Sequence, residues 1–149
     1  MSEDYAGFVT RAIAFAVDVA LVDFAAVIVA IVVGLGISAF EVPDVVVTIA
    51  VAVGAVAYLA WFVGYFAMFW STTGQTPGAR LMGVRVVCAH GGETVHLGRA
   101  IVRLAGMALA AIPLFAGFLL ILVDDRRRGL QDRLARTVVV YASDVRPLS

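Results

Sequence analysis

RAIAFAVDVALVDFAAVIVAIVVGLGISAF, residues 11–40, decides the fold. From Ala12 to Ile37 the run is apolar and broken by only two charges, Asp18 and Asp23. About 20 apolar residues cross the hydrocarbon core of a bilayer, so this run is long enough even when tilted. A carboxylate inside such a helix is expensive and marks a candidate functional site. The pattern predicts a transmembrane helix over residues 10–37. The lead before it, Met1-Ser-Glu-Asp-Tyr5, is acidic. The run also exceeds the h-region of a signal peptide, so it reads as a retained span.

The rest of the composition agrees. Of 149 residues, 62% are hydrophobic and 15% charged. Soluble proteins carry roughly 25% charged residues. A chain this short cannot bury that much apolar surface in its own interior, so lipid is the expected solvent. It has room for a single domain, residues 1–149. All 11 basic residues are Arg, the net charge is +0, and the one cysteine, Cys88, excludes an internal disulfide framework.

Outward from the first helix, Ser38 to Asp44 is a short loop without a basic residue. A second span is expected over residues 45–70. Its end is aromatic, with Tyr58, Trp61, Phe62, Tyr65, Phe66, Phe69 and Trp70. Trp and Tyr favour the membrane–water boundary, which predicts an aromatic anchor there. Residues 71–98 turn polar. Thr76 followed by Pro77 fits an N-cap and first helical position. Val84–Cys88 reads as a strand, His90 to Glu93 as a turn and Thr94–His96 as a returning strand. A third apolar stretch covers residues 104–123, with Pro113 near its middle. A cap over residues 124–141 ends in the β-branched run Thr137-Val-Val-Val-Tyr141.

Topology follows from the arginines. Loop 38–44 has none, whereas Arg80, Arg85, Arg99 and Arg103 follow the second span. The positive-inside rule puts the latter region and the N-terminus in the cytoplasm. A single crossing by 104–123 would export Arg126, Arg127, Arg128, Arg133 and Arg136. It would also separate Val84–Cys88 from Thr137–Tyr141, short strands that cannot stand alone, since even a lone two-stranded hairpin is marginal in water. A re-entrant hairpin turning near Pro113 is therefore favoured, with full crossing the alternative. The fold class expected is an all-α membrane protein: two full transmembrane helices, the third apolar stretch and a small cytoplasmic β element.

Three blocks carry a family resemblance. The first is Ala6-Gly-Phe8-Val-Thr-Arg11 running on to Asp18; the second is Gly74-Gln-Thr76-Pro77-Gly78-Ala-Arg80-Leu-Met-Gly83; the third is Gly129-Leu-Gln131-Asp132-Arg133-Leu-Ala-Arg136. In this order they resemble the RDD family of small bacterial membrane proteins, named for an arginine and two aspartates. The resemblance implies Arg11, Asp18 and Asp132 as motif residues. It also implies a multi-pass protein of the inner (plasma) membrane and a role in transport, with cation/proton antiport proposed for some relatives. The chain departs from the pattern at Gln131, where His is common, and at Arg136, where a small residue is common. A relay built on that His does not carry over.

The residues themselves suggest roles. Arg11 and Asp18 are two turns apart on one face, about 10 Å along the axis, which predicts an ion pair that clasps or gates helix 1. Asp23 lies on another face, about 16 Å in from the cytoplasmic end. A carboxyl poised to take up and release a proton near the midplane is what a proton or cation carrier needs; the bland alternative is a helix or dimer contact. Asp132, flanked by Arg128 and Arg136, would gain little from exposed pairs. It would do more by reaching Arg11, Arg80 or Arg85 and tying the cap to helix 1. Arg99, Arg103, Arg126, Arg127 and Arg128 are candidates for anionic lipid headgroups. No nucleic-acid partner is expected. His90 and His96 have no companions at ligand spacing, so neither a metal nor a cofactor is expected. No phosphate loop or nucleophile–base pattern appears, and an enzyme is not expected.

Three functions remain open: proton-coupled cation transport by an oligomer, a non-enzymatic accessory or assembly subunit of a larger membrane complex, and a lipid-interacting structural protein. Two spans and a hairpin are too few to enclose a path, so a transporter would need several copies, whereas the accessory role implies a partner membrane protein.

Overall fold

The computed structural model describes residues 5–89, 93–111, 121–122 and 124–142. Two long helices dominate, α1 (Phe8–Ala39, 32 residues) and α2 (Asp44–Thr72, 29 residues). Both are long and apolar enough to cross a membrane. Each runs one or two residues past the range expected from sequence at either end, because no proline or turn signal interrupts the apolar run. At about 1.5 Å per residue α1 is roughly 48 Å long, against about 30 Å of hydrocarbon, so more than one turn extends beyond it.

The two helices differ in burial along their length. In α1 only Ala14, Asp18 and Val22 are buried, one strip at i, i+4 and i+8. In α2 the buried residues are Phe66, Ala67 and Trp70. The other halves expose Val, Ile and Leu, as suits lipid-facing surface. The other described elements gather at the end defined by those buried strips. There α3 (Pro77–Leu81) follows its Thr76 N-cap, whose hydroxyl accepts from Ala79 N at 3.2 Å. Next come β1 (Val84–Cys88), α4 (Leu97–Ala111), α5 (Leu130–Ala135) and β2 (Thr137–Tyr141).

The strands pair antiparallel, from Val84 opposite Tyr141 to Cys88 opposite Thr137, and Tyr5 bridges to Val140 on the free edge of β2. Thr94–His96 is not the returning strand expected from sequence. The five-residue β-branched run 137–141 supplies a longer ladder, and among the described residues the 93–96 segment gives β1 one backbone bond, Cys88 N to Glu93 O at 2.9 Å, besides the Cys88 thiol on Thr94 O. Of the expected turn, His90, Gly91 and Gly92 lie outside the described residues, as does the proposed re-entrant turn at Pro113.

The core sits under the sheet. Ala6, Phe66, Trp70, Ala79, Val84, Val86, Val95, Ala100 and Val139 form it. Phe66 and Trp70 are thus interior residues rather than interfacial anchors: Phe66 stacks on Phe15 at 5.4 Å and meets Trp70 at 5.3 Å. Trp61 remains exposed. Gly106 lets α4 press onto α5, since a Cβ there would stand 2.7 Å from the Cα of Gln131.

Candidate functional site

Three acidic centres stand along α1. The first lies at its start. Asp132 is fully buried on α5 and accepts from Arg11 Nη1 at 2.6 Å through Oδ2. Arg103 Nη1, from α4, bonds its other oxygen. The N-cap amide of α5, Gly129 N, adds a third donor at 3.0 Å. Arg103 is fixed further by Thr137 Oγ1 at 3.0 Å and by the Trp70 ring, 4.8 Å from its guanidinium carbon. One carboxylate therefore joins α1, α4 and α5 and meets β2 through Arg103. Burying these charges costs several kcal/mol per ion, offset in part by the three donors that converge on one carboxylate.

Two expectations are corrected here. Arg11 turns to Asp132 rather than Asp18, because the α5 cap brings a carboxylate within direct reach while Asp18 lies two turns along the axis. Arg103 is 5% exposed and belongs to this internal cluster, not to a lipid-facing stripe. Of the three arginines considered for Asp132, Arg11 reaches it; Arg80 is exposed and Arg85 lies half-buried in β1.

Asp18 forms the second centre. Its Oδ1 accepts from Gly78 N at 2.7 Å and Tyr65 Oη at 3.0 Å, and its Oδ2 from the Thr76 hydroxyl. Three donors on two other elements satisfy the carboxylate and seat α3 against α1. The approach requires glycine at 78: a Cβ would fall 2.1 Å from the carbonyl oxygen of Ala14. This centre is a closed clasp.

The third centre is open. Asp23 is half-buried, and among the described residues its hydrogen-bond partner is Tyr58, whose hydroxyl donates to Oδ1 at 2.6 Å. Beyond this pair α1 and α2 face one another across a groove of about 860 Å³. Small and β-branched residues line it, including Ala26, Ala30, Gly34 and Gly54, and Tyr58 stands at its inner end.

The remaining arginines divide. Arg128 pairs with Asp124 at 3.0 Å, and Arg133 joins the same carboxylate at 2.7 Å. The Arg128 hydrogen bond is the main reason the Asp124 carboxyl is held well below the usual carboxylate range; the same bond raises Arg128. Arg99, Arg126 and Arg127 are exposed. Arg99 Nη1 touches Cys88 Sγ at 3.3 Å, and Arg127 Nη1 donates to Tyr5 O at 3.3 Å. Among the described residues no group of three or more His, Cys, Asp or Glu is placed to hold a metal ion.

A profile of the RDD family matches residues 5–136. The chain belongs to the RDD family. RDD proteins are small bacterial membrane proteins. Two relatives, both titled proline-rich antigen homolog, come from Mycobacterium tuberculosis strains CDC 1551 / Oshkosh and ATCC 25618 / H37Rv. Each is 35% identical over 89 residues, 60% of this chain and 36% of the relative. The RDD chain thus spans well under half the length of the curated relatives it matches. No solved structure matches it.

In this RDD protein the three motif residues do not form one triad. Arg11 and Asp132 pair, and Asp18 closes a separate centre. Sequence reasoning missed Tyr58, Tyr65, Thr76 and Gly78 as partners of the aspartates. A signal existed: Tyr58 and Tyr65 are seven residues apart, two turns on one face of α2. They are the two tyrosines within that span.

Proposed function

We propose that this RDD protein is a proton-coupled cation carrier that works as an oligomer, with Asp23 as the carboxyl that gains and loses the proton. The observation that carries this reading is the contrast among the three aspartates. Asp18 and Asp132 are saturated by donors, whereas Asp23 holds one tyrosine hydroxyl at 2.6 Å and sits beside the groove between the spans. A carboxylate released from Tyr58 has free lone pairs for a proton or a small cation, and the tyrosine can re-cap it afterwards. Among the described residues the groove is lined from α1 and α2 alone, and further copies close the path.

The N-terminus is assigned to the cytoplasm and the protein to the bacterial inner membrane on the distribution of arginines. The pairing of β1 with β2 supports placing residues 84–88 and 137–141 on one side, and with them a re-entrant 104–123. Proton–cation exchange in proteoliposomes tests the proposal: native protein should show flux and Asp23→Asn none. Absence of flux from native protein overturns it.

A second reading is an accessory subunit whose groove receives a helix of a partner membrane protein. The small residues facing the groove favour it, since small side chains let helices approach closely in lipid. Purification with a stoichiometric partner, together with absent flux, would select it.

A further inference from the structure

The Asp132 centre holds two guanidinium groups against one carboxylate, all of them internal. Its charge is unbalanced by one. Donors are also left over: among the described residues Arg11 Nη2 and Arg103 Nε are buried without a hydrogen-bond partner. The Arg11 and Arg103 side chains are only 10% and 6% exposed, so solvent does little to satisfy them. A third guanidinium stands at the rim. Arg127 donates to Tyr5 O at 3.3 Å, while Arg11 Nε donates to Ala6 O at 3.0 Å. Both arginines therefore grip the same short backbone segment, which lies along β2, and Arg127 Nη1 lies 3.3 Å from where a Cβ of Gly7 would be. Arg127 adopts the left-handed backbone (φ 48°), an uncommon state for a non-glycine residue that recurs at ligand clamps. Residues 11, 103 and 124–136 together carry seven arginines and three aspartates. Arg11 lies in the first turn of α1, at the level where a span leaves the hydrocarbon.

We infer that this surplus is the seat of a phosphate group, held by Arg11 Nη2 from within and by Arg127 from the rim, with Arg103 adding charge behind Asp132. Arginine forks match phosphate oxygens in geometry and charge. The site is distinct from an exposed basic stripe: it needs the internal Arg11 and singles out Arg127 from its neighbour Arg126. Two sources offer this chemistry, the headgroup of an anionic phospholipid and free phosphate.

Thermal unfolding of the purified full chain in neutral detergent, followed by tryptophan fluorescence, tests the inference. Phosphatidylglycerol, phosphatidylcholine and inorganic phosphate are titrated separately. Phosphatidylglycerol should raise the midpoint by roughly 5 °C at saturation, more than phosphatidylcholine does. Arg127→Gln should lose at least half of that rise, and Arg126→Gln should keep it. Arg11→Lys, which retains a cation for Asp132 but has no second nitrogen on the fork, should lose it too. If millimolar inorganic phosphate reproduces the rise with the same dependence on Arg127, the site takes free phosphate; if only the lipid does, it takes a headgroup. No rise with either, or equal responses from Arg127→Gln and Arg126→Gln, overturns the inference.

Discussion

Arg11 and Asp132 are 121 residues apart in sequence and 2.6 Å apart in the fold. The carboxylate is fully buried, and Arg103 approaches it from the opposite oxygen. Removing either partner therefore has unequal consequences. Asp132→Asn leaves two buried cations unpaired, whereas Arg11→Gln leaves the Arg103 pair intact. Breaking a buried pair costs about 3–5 kcal/mol. Asp132→Asn should reach that range and Arg11→Gln should cost roughly half as much, measured as thermal unfolding in detergent. Equal losses would contradict the shared-carboxylate arrangement.

The close approach of α3 to α1 makes a second prediction. Gly78→Ala places a methyl group 2.1 Å from Ala14 O and should cost about 1–3 kcal/mol or more. Gly64→Ala meets nothing within 4 Å and lies inside α2. That change should be neutral or stabilising by up to about 1 kcal/mol, because alanine is the better helix former. Midpoints of the two variants measured side by side give the answer.

Asp23 and Tyr58 should be separable from the fold. Tyr58→Phe removes one hydrogen bond at the edge of a groove, worth about 0.5–1.5 kcal/mol. Asp23→Asn retains a side chain able to accept from the same hydroxyl. Both variants should purify and unfold near the native midpoint while losing or slowing exchange in proteoliposomes. A collapse of yield for either would make the pair structural.

Acid stability should depend on Asp124. Its carboxyl receives Arg128 Nε at 3.0 Å, Arg133 Nη2 at 2.7 Å and two backbone amides. Its titration in the folded state is moved below the ordinary value of 3.8. The unfolded chain takes up the proton first, so the contribution is complete above that ordinary value and fades as the pH falls beneath it. The difference in midpoint between native protein and Asp124→Asn should be constant between about pH 5 and 7 and shrink below about pH 4. A difference that grows on acidification would reverse the sign.

A fifth prediction concerns sidedness. Single cysteines placed at the exposed Arg80 and Arg136, in a Cys88→Ala background, should both resist an impermeant maleimide added to intact cells and both react after permeabilisation. Labelling of position 136 alone from outside would refute both the cytoplasmic assignment of the cap and its place beside β1.

The two spans were legible because length and apolarity are local properties of a chain. So was the start of α3, where Thr76 and Pro77 carry the signal within one turn. The polar centres were legible in their acidic members and in Arg11, one of the three arginines that the sequence offers to Asp132 and the one that reaches it. Helical periodicity correctly places Arg11 and Asp18 on one face, but it says nothing of what another element brings closer, and Thr76, Gly78 and Tyr65 are brought closer to Asp18 than Arg11 is. Arg103 reads as a surface residue beside Arg99, four positions away. Its burial is decided by Asp132, 29 residues further on, and by the Trp70 ring. Tyr58 and Tyr65 were hidden by their own neighbours, since a helix end crowded with aromatics looks like an interfacial belt whichever rings point inward.

The order in which these partners leave the ribosome differs from the order in which they meet. Arg11, Asp18 and Asp23 emerge first, yet Tyr58 follows Asp23 by 35 residues, Gly78 follows Asp18 by 60 and Asp132 follows Arg11 by 121. At about 5–20 residues per second, Arg11 waits roughly 6–24 s for its carboxylate. By the end of that interval Arg11 alone of those three charges still lacks its partner, an uncompensated cation at the start of the first helix of the kind that chaperones and proteases triage. A ribosome stalled before Asp132 would leave that state permanent, so shortened chains should be cleared far faster than the finished protein.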